Sequence, residues 1–320
     1  MTRLLIFLAA FIPTLVFSQA YPNKAVRMIV PFAPGGASDF VGRILQPRLT
    51  ELLGQQIVVE NRAGASGNIG MDAAAKAAPD GYTIYLGNVG TVALNPAVFT
   101  KTLTVVPTKD FIPITQVVDV PGVLVVHPDL QAKTVKDIIA IAKAYPGKLN
   151  YASPGAGSQN RLETEVFRKI AGLDMVHVPY KGGAGPAVAG LVGGETHLMF
   201  VTASSAMNHV KNGRLRLIAV TSAKRLAAFP DAPTFAEAGF PELTSGSWQG
   251  IFVPAGTPKP IVDRLYAAVI ETMKSPEVQQ RLANGGVEVV TSAPGEFAKF
   301  VAKETERWGK AVKDAGATAE

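Results

Sequence analysis

The sequence predicts an α/β protein with two mainly parallel sheets in two domains, and three observations predict it. Short runs rich in β-branched residues alternate with stretches whose apolar residues recur at helical spacing, as in βα units. The second half of the chain repeats the grammar of the first, so two sheets fit better than one. A length of 320 residues, with 48% apolar and 18% charged residues, is enough to bury two sizeable cores.

The chain opens with Arg3, an apolar stretch from Leu4 to Phe17 and then Ser18-Gln19-Ala20, which reads as a secretory signal cleaved after residue 20. Its apolar stretch contains Pro13 and falls short of the roughly 20 residues that a membrane-spanning helix needs. The sequence has no cysteine, which removes disulfides, thiolate metal sites, a thiol nucleophile and a lipid-bearing cysteine after the signal. The net charge of +6 is spread along the chain without a basic block, so nothing supports nucleic-acid binding.

In the first half, strands are predicted at "VRMIVPF" (26–32), "QIVVE" (56–60), "YTIYLG" (82–87), "PITQVV" (113–118) and "GVLVVH" (122–127). In the second they are predicted at "LNYAS" (149–153), "MVHVPY" (175–180), "THLMFV" (196–201) and "LRLIAVT" (215–221). The helix after the first strand carries Phe40, Val41, Ile44, Leu45, Leu49, Leu52 and Leu53 on one face, with Ser38 or Asp39 placed to cap it and Pro47 to kink it. "GVLVVHP" and "SWQGIFVPAG" (247–256) read as crossovers between domains, and "PGEFAKFVAKETERWGKAVKDAG" as a long amphipathic helix packing back on the first domain through Phe297, Phe300, Val301 and Trp308. The expected division is therefore 21–121 for the first part of domain 1, 122–246 for domain 2, and 247–320 for the return segment and C-terminal helix of domain 1.

The chemistry points to loops. "PFAPGGASD" places a glycine turn between a strand and a helix N-terminus, where unpaired N–H groups point together and suit an anion. Three further Gly, Ser or Asn-rich segments follow predicted strands: "LGNVGT" (86–91), "YASPGAGSQN" (151–160) and "PYKGGAGPA" (179–187). Ligands of α/β sheets bind at the carboxyl ends of strands, which places a candidate site in the cleft between the domains. Each loop alone reads as an ordinary turn; four in equivalent places weaken that reading. The nucleotide fingerprints GxGxxG and GxxxxGK[ST], the zinc motif HExxH and the hydrolase motif GxSxG do not occur, and His127, His177, His197 and His209 are scattered. Asp39 reads as a helix cap or as a ligand contact. Tyr180 and Lys181 read as an aromatic and cationic clamp or as a solvated turn.

Seven stretches in order, "YPNKAVRMIVPFAPGGASD", "LGQQIVVENRAGASGNIG", "PDGYTIYLGNVGT", "KDFIPITQV", "VHVPYKGG", "LRLIAVTSAKR" and "GIFVPAGTP", resemble the substrate-binding proteins of tripartite tricarboxylate transporters, the Bug receptors. The resemblance spans the mature chain. It implies a two-domain periplasmic-binding-protein fold of the type II-like, Venus flytrap kind, closing over its ligand without catalysis, cofactor or metal. Carried onto matching positions, it implicates Ala33, Gly35, Gly36, Ser38 and Asp39 of the first loop, Asn88 and Thr91 of the second, and Ser153, Gly157 and Ser158 of the third. Tyr180 and Lys181 are expected nearby, and Thr202 and Ser204 on the variable side of the cleft. The chain departs from the pattern at Arg161, Glu163 and His197, which leaves ligand identity open; Arg161 either adds a cation near the cleft or pairs with Glu165.

The expected function is therefore a periplasmic, monomeric receptor for a small carboxylate, delivering it to membrane transporter subunits. Two alternatives stay open: a ligand sensor for a signalling partner, and an exported hydrolase using Ser158 or Ser204 with a close histidine.

Overall fold

The computed structural model describes residues 21–155 and 157–315; the signal assigned to residues 1–20 lies outside the described residues. The first half runs β1 (Val26–Val30), α1 (Ala37–Leu53), β2 (Ile57–Asn61), α2 (Asn68–Ala75), β3 (Thr83–Asn88), α3 (Asn95–Val98), α4 (Pro107–Asp110) and β4 (Phe111–Val126). It continues through α5 (Val135–Ala144), β5 (Asn150–Ser153), α6 (Gln159–Ala171), β6 (Val176–Pro179), α7 (Ala184–Val192), β7 (Leu198–Thr202), α8 (Ala203–Lys211) and β8 (Arg216–Val220). The return segment holds β9 (Gly246–Pro254), α9 (Lys259–Lys274), α10 (Pro276–Asn284), β10 (Glu288–Val289) and α11 (Pro294–Ala315).

The strands follow the order β2-β1-β3-β9-β4-β7-β5-β6, with β8 and β10 also paired to β4. Each half has a parallel group, β2-β1-β3 in one and β6-β5-β7 in the other. The strands that join them, β4 and β9, run antiparallel to their neighbours, so the sheet is mixed where the chain crosses. The two strands expected at 113–118 and 122–127 are a single strand, β4. It pairs with β9 from Phe111 to Pro121 and with β7 and β8 from Gly122 to Val126. Pro121 and Gly122 read as a break, but here they mark a change of partner: Gly122 N–H donates to Thr221 Oγ1 at 2.9 Å, and a side chain at Gly122 would collide with Thr221.

Apolar residues alternate onto both faces of each half, giving four packed clusters. In the first half, α1, α9 and α10 cover one face through Val41, Leu45, Leu49, Leu265 and Leu282. The other face packs Tyr85, Phe252 and Trp248 against Phe297, Val301 and Trp308 of α11, which returns to the first half as expected. The second half is layered between α5 and α6 on one side and α7 and α8 on the other. Helix α1 continues through Pro47, which is exposed and which leaves the Arg43 carbonyl without its helical donor. The buried indoles are satisfied too: Trp248 and Trp308 both donate to Glu304 Oε2, at 3.0 and 3.1 Å.

Asp119 lies in β4 just before the change of partner, opposite Glu288. Burial, with Glu288 adding to it, pushes its carboxyl up to about 6. The folded state therefore binds the extra proton above the ordinary carboxylate range, and stability falls as pH rises from about 4 to about 6. Asp119→Asn should raise stability at pH 7.5 by about 2 kcal/mol and flatten that dependence, as measured by urea unfolding at pH 4.5 and 7.5.

Candidate functional site

The loop between β1 and α1 is held from below. Asp39 is the third residue of α1, not its cap; the cap position is Gly36, which has no side chain to offer. The Asp39 carboxylate, buried in the loop base, accepts Gly35 N–H at 3.1 Å on Oδ2, and Arg43 Nε at 2.8 Å and Asn61 Nδ2 at 3.0 Å on Oδ1. Asn61 also donates to the Phe32 carbonyl at 2.9 Å. With φ of +89° at Gly35, these bonds turn the chain so that the first N–H groups of α1 face the opposite half.

The opposing loops are built alike. Ser158 caps α6, its Oγ accepting Arg161 N–H at 3.2 Å and donating to the Gly155 carbonyl at 2.9 Å. Thr202 is the cap position of α8 and its Oγ1 lies 3.0 Å from Ser205 Oγ. Gly182 and Gly183 take φ near +100° just before α7.

The halves meet through backbone. Ala33 N–H donates to the Gly182 carbonyl at 2.8 Å, and Gly157 N–H donates to Ser66 Oγ at 3.2 Å. A Cβ at Gly185 would overlap the Pro34 carbonyl oxygen, and one at Gly157 would overlap Asn95. Ser66 reaches across because "GASG" (64–67) is bent: Ala65 and Ser66 have φ of 45° and 56°.

Between them lies a cavity of about 60 Å³, lined on one side by Gly36, Ala37, Ser38, Ser66 and Asn88 and on the other by Ser158, Gln159, Asn160, Ala184 and Thr202. Phe32 and Val89 give it an apolar wall, and Ser247 and Gln249 come from β9. That space suits a compact metabolite, since one water needs roughly 10–15 Å³. The N-terminal residues of α1, α6 and α7 and the cap residue of α8, Thr202, contribute to the lining, and no charged side chain lines it among the described residues. A site of this kind holds negative charge with helix dipoles and unpaired N–H groups in place of a cation. Asn88 adds a donor: Thr91 N–H occupies its Oδ1 at 3.0 Å, which leaves Nδ2 forward, near Ser38 Oγ.

Of the residues expected from sequence, Gly36, Ser38, Asn88, Gly157, Ser158 and Thr202 line the cavity. The others stand behind it or outside it. Ala33 and Gly35 spend their N–H groups on Gly182 and Asp39. Thr91 is fully buried under Asn88 and bonded to the Tyr85 hydroxyl at 2.7 Å. Ser153 is buried with its Oγ 2.6 Å from His177 Nε2. Burial, with Arg161 adding to it, pushes His177 down to about 4, so it is neutral at pH 7. Tyr180 turns away to Glu195, bonded at 2.6 Å, and Lys181 is exposed. Ser204 Oγ is buried outside the lining, and the histidine that pairs with a serine pairs with Ser153, off the cavity. Arg161 lies outside the cavity lining as well, and Glu165 bonds Arg168 and Tyr151.

Sequence reasoning missed Ser66, Gln159, Asn160, Ala184, Ser247 and Gln249 as lining residues. A signal existed for two of them: Ser247 and Gln249 are polar residues on one face of a strand otherwise apolar.

Two sheet halves joined by crossover strands, with a closed cleft fed by helix N-termini, define a two-lobed solute-binding protein. The comparisons make this specific, for the profile described as "Tripartite tricarboxylate transporter family receptor" matches residues 41–317, and the chain belongs to that family. BugT of Bordetella pertussis is 38% identical over 99% of this chain and 98% of its own. Among solved structures, MatC from Rhodopseudomonas palustris with bound malate is 33% identical, with a TM-score of 0.86 over 91% of this chain and 100% of its own. A second R. palustris protein, solved with adipate, is 35% identical, with a TM-score of 0.89 over 92% of this chain and 98% of its own. The family is one of solute-binding receptors rather than enzymes.

Gly185→Ala tests the contact between the halves, because alanine suits a helix but its methyl group would overlap the Pro34 carbonyl across the cleft. The variant should keep its thermal midpoint without ligand and lose at least about tenfold in ligand affinity, a closure penalty of about 1.4 kcal/mol. Calorimetry and small-angle scattering with and without ligand measure both.

Proposed function

We propose that this protein is an extracytoplasmic receptor that captures a small carboxylate between its lobes and presents the closed complex to a tripartite tricarboxylate-type membrane transporter. The observation that carries the reading is the convergence of four helix N-termini, from both halves, on one uncharged cavity. An anion there meets partial positive charge from several directions without having to displace a counter-ion. The bound malate and adipate of two relatives support a carboxylate as the anion. The signal-like residues 1–20 support export, which in a bacterium places the receptor in the periplasm.

Closure follows from where the donors sit. Ser38 and Asn88 belong to one half, and the α6 and α8 N-termini to the other, so a ligand gains its full set of bonds only in the closed state. Its differential affinity then shifts the population towards that state. We place the hinge where β4 changes partner, at Pro121–Gly122, and where the chain returns, at Ser245–Gly246. Ser245 N–H donates to the Thr221 carbonyl at 2.8 Å, beside the Gly122 contact. The receptor acts as a monomer in this reading, the closed surface being what the transporter recognises.

A thermal-shift screen of mono-, di- and tricarboxylates, aromatic acids and acidic amino acids should find at least one stabilising ligand. At 100 times its Kd, that ligand raises stability by about 2.7 kcal/mol. A shift with sugars or cations and with no carboxylate would sink the proposal.

A further inference from the structure

A buried carboxyl stands behind the part of the cavity best furnished for an anion. The N–H groups of Gln159 and Asn160 open α6 ahead of its first helical bond, which runs from Leu162 N–H to the Ser158 carbonyl at 3.3 Å, and the Ser158 hydroxyl takes the N–H of Arg161 instead. Gln159 and Asn160 both line the cavity. A ligand carboxylate there meets two donors and the positive end of a helix dipole. Glu163, 5% exposed, lies one turn further into the same helix, about 6 Å along its axis.

Every group that holds Glu163 is neutral. Its Oε1 accepts Gln159 Nε2 at 2.9 Å and the Ser245 hydroxyl, and its Oε2 accepts Asn160 Nδ2 at 3.0 Å. Two of these partners belong to α6 and the third to the crossover that leads into β9. Burial pushes the Glu163 carboxyl up, and no charged or titratable side chain among the described residues acts on it from α6, from that crossover or from β9. Asp39, the buried carboxyl behind the first loop, has the Arg43 guanidinium on Oδ1 at 2.8 Å; Glu163 has no such cation. The Ser245 hydroxyl can turn from donor to acceptor, so Glu163 has a partner there with or without a proton.

A carboxylate seated on the α6 N-terminus brings a second negative charge within about one helical turn of Glu163, across an interior that screens it less than water does. Resting on the carboxylate reading above, we infer that the receptor takes up a proton together with its ligand: the carboxylate binds as an anion at the α6 N-terminus, and Glu163 receives a proton from solvent and donates it to Ser245 Oγ. One negative and one positive charge enter together, so closure buries no added net charge. Affinity then falls as pH rises, by up to about tenfold per unit where free Glu163 is ionised and binding must protonate it. Below that range Glu163 already holds its proton and affinity is level.

Titration calorimetry of the full mature chain counts the protons, because a buffer's ionisation heat is added once for each proton taken up. With malate, adipate, succinate, glutarate and benzoate as probes, all fully ionised between pH 7 and pH 9, the tightest binder should take up at least about half a proton within that range. Its Kd should rise about threefold per pH unit there. Glu163→Gln, the neutral isostere, should abolish both the uptake and the pH slope, while Asp119→Asn keeps both. A probe that binds with no proton uptake anywhere in the range overturns the inference and leaves the carboxylate reading intact. Uptake that persists in Glu163→Gln, with folding checked by circular dichroism, overturns it as well. If that variant does not fold, infrared difference spectra of the unmodified protein decide the matter: a carboxylic acid band that appears on binding and shifts with isotope-labelled glutamate supports the inference, and one that does not shift overturns it. Binding by none of the probes overturns the inference, while a shift with another carboxylate in the wider screen keeps the broader reading.

Discussion

The architecture depends on how closely two backbones approach across the cleft. Ala33 N–H reaches the Gly182 carbonyl at 2.8 Å, and the α7 N-terminus rests on the Pro34 carbonyl at a glycine. Side chains at Gly183 and Gly185 would hold the halves apart by striking Phe32 and Pro34. Only because they are missing can the N-termini of α1 and α7 face one another over a space of about 60 Å³. The glycines of the two loops are thus one device. Those at 182 and 183 supply left-handed turns, and that at 185, in a regular helix, supplies clearance.

That proximity determines the electrostatics. A cavity without a charged side chain among its described lining avoids the desolvation of a buried cation, which costs several kcal/mol per ion when its partner is lost. Helix dipoles cost nothing to bury because the helices exist for packing reasons already. Each contributes about 0.3–1 kcal/mol near its terminus, so several converging ends are needed to replace one guanidinium. The charged residues near the cleft serve geometry instead. Asp39 ties Gly35, Arg43 and Asn61 together, and Glu163 ties Gln159, Asn160 and Ser245. Both carboxylates face away from the cavity and hold the groups that face it.

The strands were legible in sequence because β-branched runs are short, apolar and bounded by glycine or proline; β1, β5 and β8 fall within their expected runs. β4 was not legible as one strand, because Pro121-Gly122 carries the same letters as a turn and only the Thr221 hydroxyl, 99 residues further on, shows that Gly122 N–H is satisfied in place. The site was legible as loops but only partly as residues. Glycine and a capping serine announce a turn at a strand end, so Gly36, Ser38, Gly157 and Ser158 could be named. Whether a polar side chain faces the cavity or braces it depends on where its hydrogen bonds go, and Asp39, Thr91 and Tyr180 spend theirs behind it or away from it. Gln159 and Gln249 resemble ordinary helix and strand residues until burial and missing partners are seen together.

Under the proposed function, the same atoms serve binding and closure. Gln159 bridges the α6 N-terminus to the Gly246 carbonyl, where the chain crosses back to the first half, and Ser245 in the same crossover bonds Glu163. Gly157, just before the α6 cap, meets Ser66 of the first half. A ligand that engages the α6 N-terminus therefore contacts the part of the second half already fastened both to the crossover and to the opposite wall. Under the proposed closure, binding free energy spent on that helix end is differential, because the Ser66 and Gly182 contacts to the opposite half accompany it only in the closed state. An anion bound by one lobe alone would shift nothing, however tightly held.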